Sequence, residues 1–140
     1  MQKRHFNRRL YFKEQTSTSM KYYINYLSPF LCLTPDSRIL EVGCGEGGNL
    51  VPFAQKGGYT CGIDMARCRI EQAKSFFKEM DLSADFLDAD FLIVAPPINE
   101  EEKFDVILLH DVIEHVERKC ELFGHLKLFL KKEGVVFVGF

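Results

Sequence analysis

The sequence predicts an α/β domain built on a doubly wound, mostly parallel sheet, and two observations lead to this fold class. Short apolar runs alternate with segments whose apolar residues recur at helical spacing, as strands and helices alternate in a parallel sheet. The runs at 106–109 and 135–138 are apolar almost throughout, which is typical of strands covered on both faces. Parallel neighbours need right-handed crossovers, so we expect helices on both sides of the sheet.

The chain is expected to open on helices and to continue as alternating strands and helices. One or two helices lie within residues 7–31 and end near Ser28-Pro29. Strands follow at 38–42, 59–63, 84–87, 104–109 and 135–140, and helices at 48–56, 66–80 and 112–130. The proline-containing stretch 90–103 is expected to be a long loop. These elements form an N-terminal helical cap, residues 1–33, and a core, residues 34–140.

Composition places the chain among ordinary globular proteins. Of its 140 residues, 46% are apolar and 27% are charged, and the net charge of −2 argues against a general nucleic-acid-binding protein. The five cysteines are scattered without CxxC spacing, which fits a reduced cytoplasm better than a disulfide framework or a zinc site. No apolar stretch approaches the ~20 residues of a membrane span. We expect a cytoplasmic and soluble protein.

Charge and hydropathy are uneven at the two ends of the chain. Residues 1–27 carry one acidic side chain, Glu14, against six basic ones: Lys3, Arg4, Arg8, Arg9, Lys13 and Lys21. We interpret this as a solvated helix face; the alternative is a site for an anionic substrate group or an acidic partner. At the other end, the chain stops inside an apolar strand whose exposed edge would tend to pair with other strands. Either a partner such as a second copy in a homodimer covers this edge, or the chain belongs to a longer protein, which we favour.

A glycine-rich turn follows the first predicted strand. Gly43, Gly45 and Gly48 match the GxGxxG pattern of dinucleotide-binding proteins, with Asp64 placed for a ribose. The same turn also matches Glu-x-Gly-x-Gly-x-Gly, which starts at Glu41. A carboxylate before the turn would repel a pyrophosphate and suits a ligand that carries an ammonium or sulfonium group. Glycines at 47 and 48 could also serve helix packing alone, and Asp64 could cap the next helix.

Residues 39–47 resemble the first motif of the class I S-adenosylmethionine-dependent methyltransferases, and further motifs of that family follow in order. They are 61–64, 86–91, 104–110 and 130–134, so the resemblance covers roughly residues 36–140. It implies a Rossmann-like sheet of order 3-2-1-4-5, from which the family's strands 6 and 7 are missing. It also implies a set of residues that bind S-adenosylmethionine: Glu41, Gly43, Cys44, Gly45, Gly47, Asp64, Met65, Asp90, Phe91 and His110.

The family resemblance assigns separate roles to several of these residues. The carboxylate of Asp64 would accept both ribose hydroxyls, and Met65 would pack on the adenine face. Asp90 would accept a proton from the adenine amino group beside Phe91, although Asp88 competes for this role. The backbone of His110, after the fourth strand, would touch the methionine part of the donor.

A second cluster of polar residues follows the fourth strand: Asp111, Glu114 and His115. If residues 112–130 are helical, the three side chains share one helix face. The favoured interpretation is a capping box, with Asp111 as N-cap and Glu114 at N3. Alternatively, His115 and Glu114 border the reacting atoms, and His115 is the base that removes a proton from a hydroxyl acceptor. The segment also resembles that of 3-demethylubiquinone-type O-methyltransferases, which implies a divalent cation on these three residues, although Asp111 replaces a longer glutamate.

These observations predict methyl transfer from S-adenosylmethionine to a small-molecule acceptor. The alternatives are a nicotinamide-dependent oxidoreductase and a non-catalytic module that only binds S-adenosylmethionine. The sequence does not identify the acceptor. Four tyrosines of the N-terminal segment, at positions 11, 22, 23 and 26, could line its pocket, but packing in the core is the favoured role.

Overall fold

A computed structural model of the chain describes residues 7–139, so Lys3, Arg4 and Phe140 lie outside the described residues. Five parallel strands form one sheet in the order β3-β2-β1-β4-β5, which confirms the predicted topology. The strands are β1 (Arg38–Val42), β2 (Tyr59–Asp64), β3 (Asp85–Asp88), β4 (Phe104–His110) and β5 (Leu130–Gly139). From β1 the chain adds β2 and β3 on one side, and then returns to add β4 and β5 on the other side. Ligands of such sheets usually bind in the crevice at the carboxyl ends of the two central strands, here β1 and β4.

The helices lie where the apolar spacing predicts them, with one exception described below. They are α1 (Arg8–Thr18), α2 (Ile24–Leu27), α3 (Val51–Gln55), α4 (Arg67–Glu79) and α5 (Lys119–Phe129). A π-helical turn, Ser19–Tyr23, joins α1 to α2, so the predicted N-terminal helices form one continuous helical segment. Short 3₁₀ turns precede α3 (Gly48–Leu50), follow β3 (Phe91–Ile93), precede β4 (Glu100–Glu102) and follow it (Ile113–His115).

The alternation of side chains along β1 separates two hydrophobic clusters. Ile39 belongs to the cluster that contains Phe12 of α1 and Leu27 of α2. Leu40 and Val42 belong to the cluster on the opposite face, which α5 covers. The N-terminal helical segment is therefore packed on the sheet as part of its cover, and Glu41, which alternates with Leu40 and Val42, points toward that segment.

The predicted helix over 112–130 is wrong in its first part. Asp111 has a left-handed backbone with φ of 54°, and its N–H donates to the Gly139 carbonyl oxygen at 3.0 Å. The chain then makes the 3₁₀ turn Ile113–His115, and α5 starts only at Lys119. Strand β5 starts at Leu130, earlier than predicted, because Leu130 already pairs with Phe104 before an irregularity in the register.

Within residues 7–139, no helix has the length and apolar character needed to cross a membrane.

Candidate functional site

The glycine-rich turn is fixed to the end of β2 by backbone hydrogen bonds. The N–H groups of Gly43 and Cys44 both donate to the Ile63 carbonyl oxygen, at 2.8 and 3.1 Å. Gly45 and Gly47 have left-handed backbones, with φ of 54° and 78°, which favour glycine. The turn therefore holds one defined shape beside the first residues after β2.

Gly45 and Gly47 serve this turn in different ways. No atom lies within 4 Å of the position that a Cβ would take at Gly45, so this part of the turn is open. At Gly47 a Cβ would lie 2.9 Å from the ring of Phe86 and 3.3 Å from that of Phe77. Gly47 is thus required for packing of the turn on aromatic side chains, which agrees with the packing alternative for this position.

A cavity of about 340 Å³ opens at the carboxyl ends of β1, β2 and β4. Its walls are mostly apolar, and among the described residues that line it, three are aspartates and one is an arginine. It brings together five of the residues predicted to bind the donor: Gly43, Asp64, Met65, Asp90 and Phe91. Asp111 and His115 also line it, so residues from both predicted clusters meet at one site.

Both carboxylate oxygens of Asp64 are oriented by the backbone. One accepts a hydrogen bond from the Gly45 N–H and the other from the Ala66 N–H, each at 2.8 Å. Asp64 does not cap α4, whose N-cap is Ala66 and makes no side-chain capping bond, so the capping alternative is wrong. The two bonds instead tie Asp64 to the residue before α4 and to the glycine-rich turn. A carboxylate has about four lone-pair positions, so each oxygen retains capacity for one further donor such as a hydroxyl group.

The structure separates the two aspartates that compete for the adenine role. Asp90 lines the cavity, and one of its oxygens accepts from the Leu92 N–H at 3.0 Å, while its other oxygen accepts no hydrogen bond from residues 7–139. Asp88 is exposed and lies outside the cavity lining. Phe91 also lines the cavity, and its buried ring packs on that of Phe129, with the two ring centroids 4.8 Å apart. The geometry favours Asp90 over Asp88.

The other predicted donor-binding residues, Glu41, Cys44, Gly45, Gly47 and His110, lie outside the cavity lining. Gly45 reaches the site through its bond to Asp64. The buried thiol of Cys44 packs near Gly62. His110 ends β4, with its ring 5.7 Å from that of Tyr23 and its Nδ1 3.4 Å from an Asp111 oxygen. Direct donor contacts of these residues stay predictions.

Glu41 is buried, with 1% of its surface exposed. Its Oε1 accepts a hydrogen bond from the Asn49 amide at 2.7 Å, whereas Oε2 has no hydrogen-bond partner among the described residues. Burial raises the pKa of Glu41 to about 8, the Asn49 bond opposes this shift, and the Asp64 charge adds to it. Glu41 is therefore mainly a neutral acid at pH 7.

The residues after β4 do not have the predicted arrangement. Asp111 does not cap a helix: its backbone is left-handed, and the cap of the 3₁₀ turn is Val112, which makes no side-chain capping bond. Glu114 and His115 lie in that turn, with Glu114 Oε1 4.0 Å from His115 Nε2. The side chain of His115 is 77% exposed at the edge of the cavity, while Glu114 lies outside its lining. The prediction of a capping box and the prediction of a shared helix face are therefore both wrong.

The part of the chain that the structure describes holds no group of three or more acidic, histidine or cysteine side chains arranged to bind a metal ion. Asp111, Glu114 and His115 do not form such a group because the turn between them is not α-helical. The implied metal site thus lacks its geometry in this structure.

Several residues of the site escaped sequence reasoning. Arg69, in the first turn of α4, lines the cavity five residues after Asp64, and Val112, Val116 and Leu122 supply its apolar wall. Asn49, eight residues after Glu41, holds the Glu41 carboxyl group in place by a side-chain hydrogen bond. The signal for Asn49 is weak, since an asparagine beside Gly48 reads equally well as part of a turn. Of the four tyrosines, Tyr23 is buried and Tyr22 and Tyr26 are exposed, and none lines the cavity.

Comparison with known proteins agrees with this geometry. Residues 12–139 match the model of a family described as a methyltransferase domain. The ubiquinone biosynthesis O-methyltransferase of Bartonella quintana is 37% identical over 101 residues, which are 72% of this chain and 40% of that protein. The chain thus spans about two fifths of the length of this curated relative.

Solved structures share the fold. A sarcosine dimethylglycine methyltransferase, described as putative, from Galdieria sulphuraria superposes with a TM-score of 0.75 at 18% identity, over 85% of this chain and 45% of that one. The PKMT2 protein of Rickettsia typhi in complex with AdoHcy gives a TM-score of 0.69 at 23% identity, over 86% of this chain and 25% of that one. On the family match over residues 12–139, the chain belongs to the class I S-adenosylmethionine-dependent methyltransferases.

Proposed function

We propose that the protein transfers a methyl group from S-adenosylmethionine to a hydroxyl group of a small aromatic acceptor. The observation that carries the choice of donor is the charge of the cavity. Asp64, Asp90 and Asp111 line it against Arg69, and a surplus of carboxylates favours a cationic ligand over the pyrophosphate of a nicotinamide dinucleotide. The family match points the same way.

The residues of the cavity fit the donor. The free lone pairs of Asp64 suit two ribose hydroxyls, and the second oxygen of Asp90 suits an amino group on the base. The open side of Gly45 leaves the turn accessible to a ligand, where a Cβ would project. When bound, S-adenosylmethionine supplies a methyl group made electrophilic by its sulfonium charge.

The choice of a hydroxyl acceptor rests on His115 and on the relative. A phenol must lose its proton to become a good nucleophile, and His115 is the cavity-lining residue whose side chain type exchanges protons near neutral pH. In this proposal an imidazole nitrogen of His115 takes the hydroxyl proton, and the apolar wall keeps the acceptor ring in place. The Bartonella quintana relative is named as an O-methyltransferase.

The test is a transfer assay with labelled S-adenosylmethionine and three classes of acceptor probe: catechols, primary amines and carboxylates. We expect label on the catechols. Transfer to amines alone would contradict the hydroxyl acceptor and keep the methyltransferase. Binding of S-adenosylhomocysteine without transfer to any probe would favour the alternative of a module that binds the donor only.

A further inference from the structure

The cavity contains a permanent positive charge that the proposed chemistry does not use. Arg69 lies in the first turn of α4 and lines the cavity together with Asp64 and Met65. Its side chain is half-buried. Because a guanidinium does not lose its proton in proteins, Arg69 keeps this charge at the site at every working pH.

The guanidinium of Arg69 lacks a partner in the part of the chain that the structure describes. Within residues 7–139 its side chain forms neither a hydrogen bond nor an ion pair. Arg67, two residues earlier, lies outside the cavity lining, is 79% exposed, and has its Nε 3.1 Å from Glu71 Oε1. A charge that loses water without gaining a partner is costly. Arg69 therefore points to an anion that arrives with a ligand.

The three aspartates of the cavity do not neutralise Arg69, because other groups hold them. Asp64 and Asp90 accept hydrogen bonds from backbone N–H groups at 2.8 to 3.0 Å. Asp111 Oδ2 lies 3.4 Å from His110 Nδ1. Each carboxylate is thus oriented by a neighbour other than Arg69, and the guanidinium remains open to a ligand.

The charge of Arg69 acts toward α1, which is seated on the glycine-rich turn. Thr16 Oγ1 of α1 donates to the Gly48 carbonyl oxygen at 3.1 Å. Burial first, and then charges that include that of Asp111, raise the pKa of Tyr11 on the same helix, whereas the charge of Arg69 opposes this shift. Arg69 after β2 and Asp111 after β4 thus act on one tyrosine of α1. The guanidinium is therefore directed toward the α1 side of the cavity.

We propose that Arg69 binds a carboxylate of the acceptor, so that the substrates are aromatic hydroxy acids rather than neutral catechols. This inference rests on the proposed function, because it requires methyl transfer to a ring hydroxyl. The planar guanidinium presents paired N–H donors that match the two oxygens of a carboxylate. One guanidinium balances one negative charge, whereas a phosphate would bring up to two charges among three aspartates.

The position of Arg69 on α4 favours the acceptor over the donor as the source of the anion. In the proposed donor pose, Asp64 takes the ribose hydroxyls and Met65 packs on the adenine face. The part of the donor beside α4 is then the uncharged adenosine. The carboxylate of the donor belongs to its methionine part, which the same pose directs to the end of β4. An anion that meets Arg69 therefore comes with the second substrate.

Two probes that differ in one charge isolate this contact: 3,4-dihydroxybenzoate and its methyl ester. Initial rates of transfer from labelled S-adenosylmethionine at pH 7 give kcat and KM for each probe. Alkaline hydrolysis of the products separates a ring ether, which keeps its label, from an ester formed on the carboxylate. In the wild type we expect label on the ring oxygen and a KM for the acid about tenfold or more below that of the ester.

The variants of the first turn of α4 assign this preference to Arg69. Arg69→Gln should raise KM for the acid about tenfold or more, and should leave its kcat, the ester and the affinity for S-adenosylhomocysteine unchanged, as for a contact equally strong in the ground and transition states. Arg69→Lys should restore part of the preference, because an ammonium keeps the charge without the planar fork. Arg67→Gln is the matched control and should change neither probe. Melting curves check that each variant folds.

Several results would overturn the proposal. Equal KM values for the acid and the ester in the wild type would remove the subsite while transfer to both leaves the proposed function intact. An equal rise in KM for both probes in Arg69→Gln would show a packing role that does not depend on charge. If Arg69→Gln weakens S-adenosylhomocysteine but not 5′-methylthioadenosine, which lacks the carboxylate, the arginine serves the donor and the proposal is wrong.

Two further outcomes separate the subsite from the proposed function. If no catechol, including these two probes, accepts the labelled methyl group, the proposed function fails and the subsite fails with it. If Arg69→Gln does not fold, the comparison of the acid with the ester in the wild type decides alone.

Discussion

The two sides of the cavity are built in different ways. At the ends of β2 and β3, side-chain carboxylates are fixed by backbone donors: Asp64 accepts from Gly45 and Ala66, and Asp90 accepts from Leu92. Beyond β4, the left-handed Asp111 and the 3₁₀ turn that contains His115 border the same cavity, and His115 is mostly exposed. A site that must recognise an invariant donor gains from fixed groups. In the proposed function, this less constrained side is the one that faces the acceptor.

The largest effect is expected on the exposed side. His115→Gln removes the proposed base, so the rate of methyl transfer to a catechol should fall about 100-fold or more. Affinity for S-adenosylhomocysteine should not change, because the fixed side of the cavity is untouched. Glu114→Gln, one residue away and outside the cavity lining, is the control. A full rate in His115→Gln would show that this side holds no base.

The next effect concerns the stability of the turn. Gly47→Ala places a Cβ against Phe86 and Phe77 in a left-handed backbone. The backbone costs roughly 1–2 kcal/mol, and the overpacking adds about 1–3 kcal/mol. Gly45→Ala meets no neighbouring atom and should show the backbone cost alone. Urea denaturation measures both, and equal losses would mean that Gly47 is not a packing position.

Asp64→Ala tests the fixed side itself. The variant loses both predicted ribose contacts and one of the three hydrogen bonds that tie the turn to β2. Affinity for S-adenosylhomocysteine should fall by about 1–3 kcal/mol, as for other lost hydrogen bonds to charged groups. Asp36→Ala, at an exposed aspartate before β1, is the control. An unchanged affinity would show that the ribose lies elsewhere.

The smallest effect separates two neighbouring aspartates. Asp90→Ala removes one predicted contact to the base and should weaken binding of S-adenosylhomocysteine by about 1 kcal/mol. Asp88→Ala should leave binding unchanged, because Asp88 is exposed outside the cavity lining. The reverse order in calorimetry would assign the adenine contact to Asp88.

The same contrast explains what the sequence predicts and what it does not. The strands, the glycine-rich turn and Asp64 follow from local patterns, since apolar runs, glycines and an acid at a strand end are fixed over a few residues. The strand order is implied by the family resemblance, and the structure confirms it. The prediction for the segment after β4 is wrong because residue spacing alone does not distinguish an α-helix from a 3₁₀ turn that follows a left-handed Asp111.

Contacts between distant segments are the other part that sequence reasoning does not reach. The Asn49 bond to Glu41 and the seating of α1 on the turn depend on how the elements pack. No periodicity within either element encodes them. For the same reason Glu41 is visible in the sequence as an acid before the turn, but its burial and unpartnered oxygen are not.

The central claim is that the fixed side of the cavity is a donor site for S-adenosylmethionine. Titration calorimetry with S-adenosylhomocysteine and with NADH, on wild-type protein and on Asp64→Ala, tests it most directly. The account predicts that S-adenosylhomocysteine binds at one site, that Asp64→Ala weakens it, and that NADH gives no binding heat. Tight binding of NADH together with no binding of S-adenosylhomocysteine would contradict it.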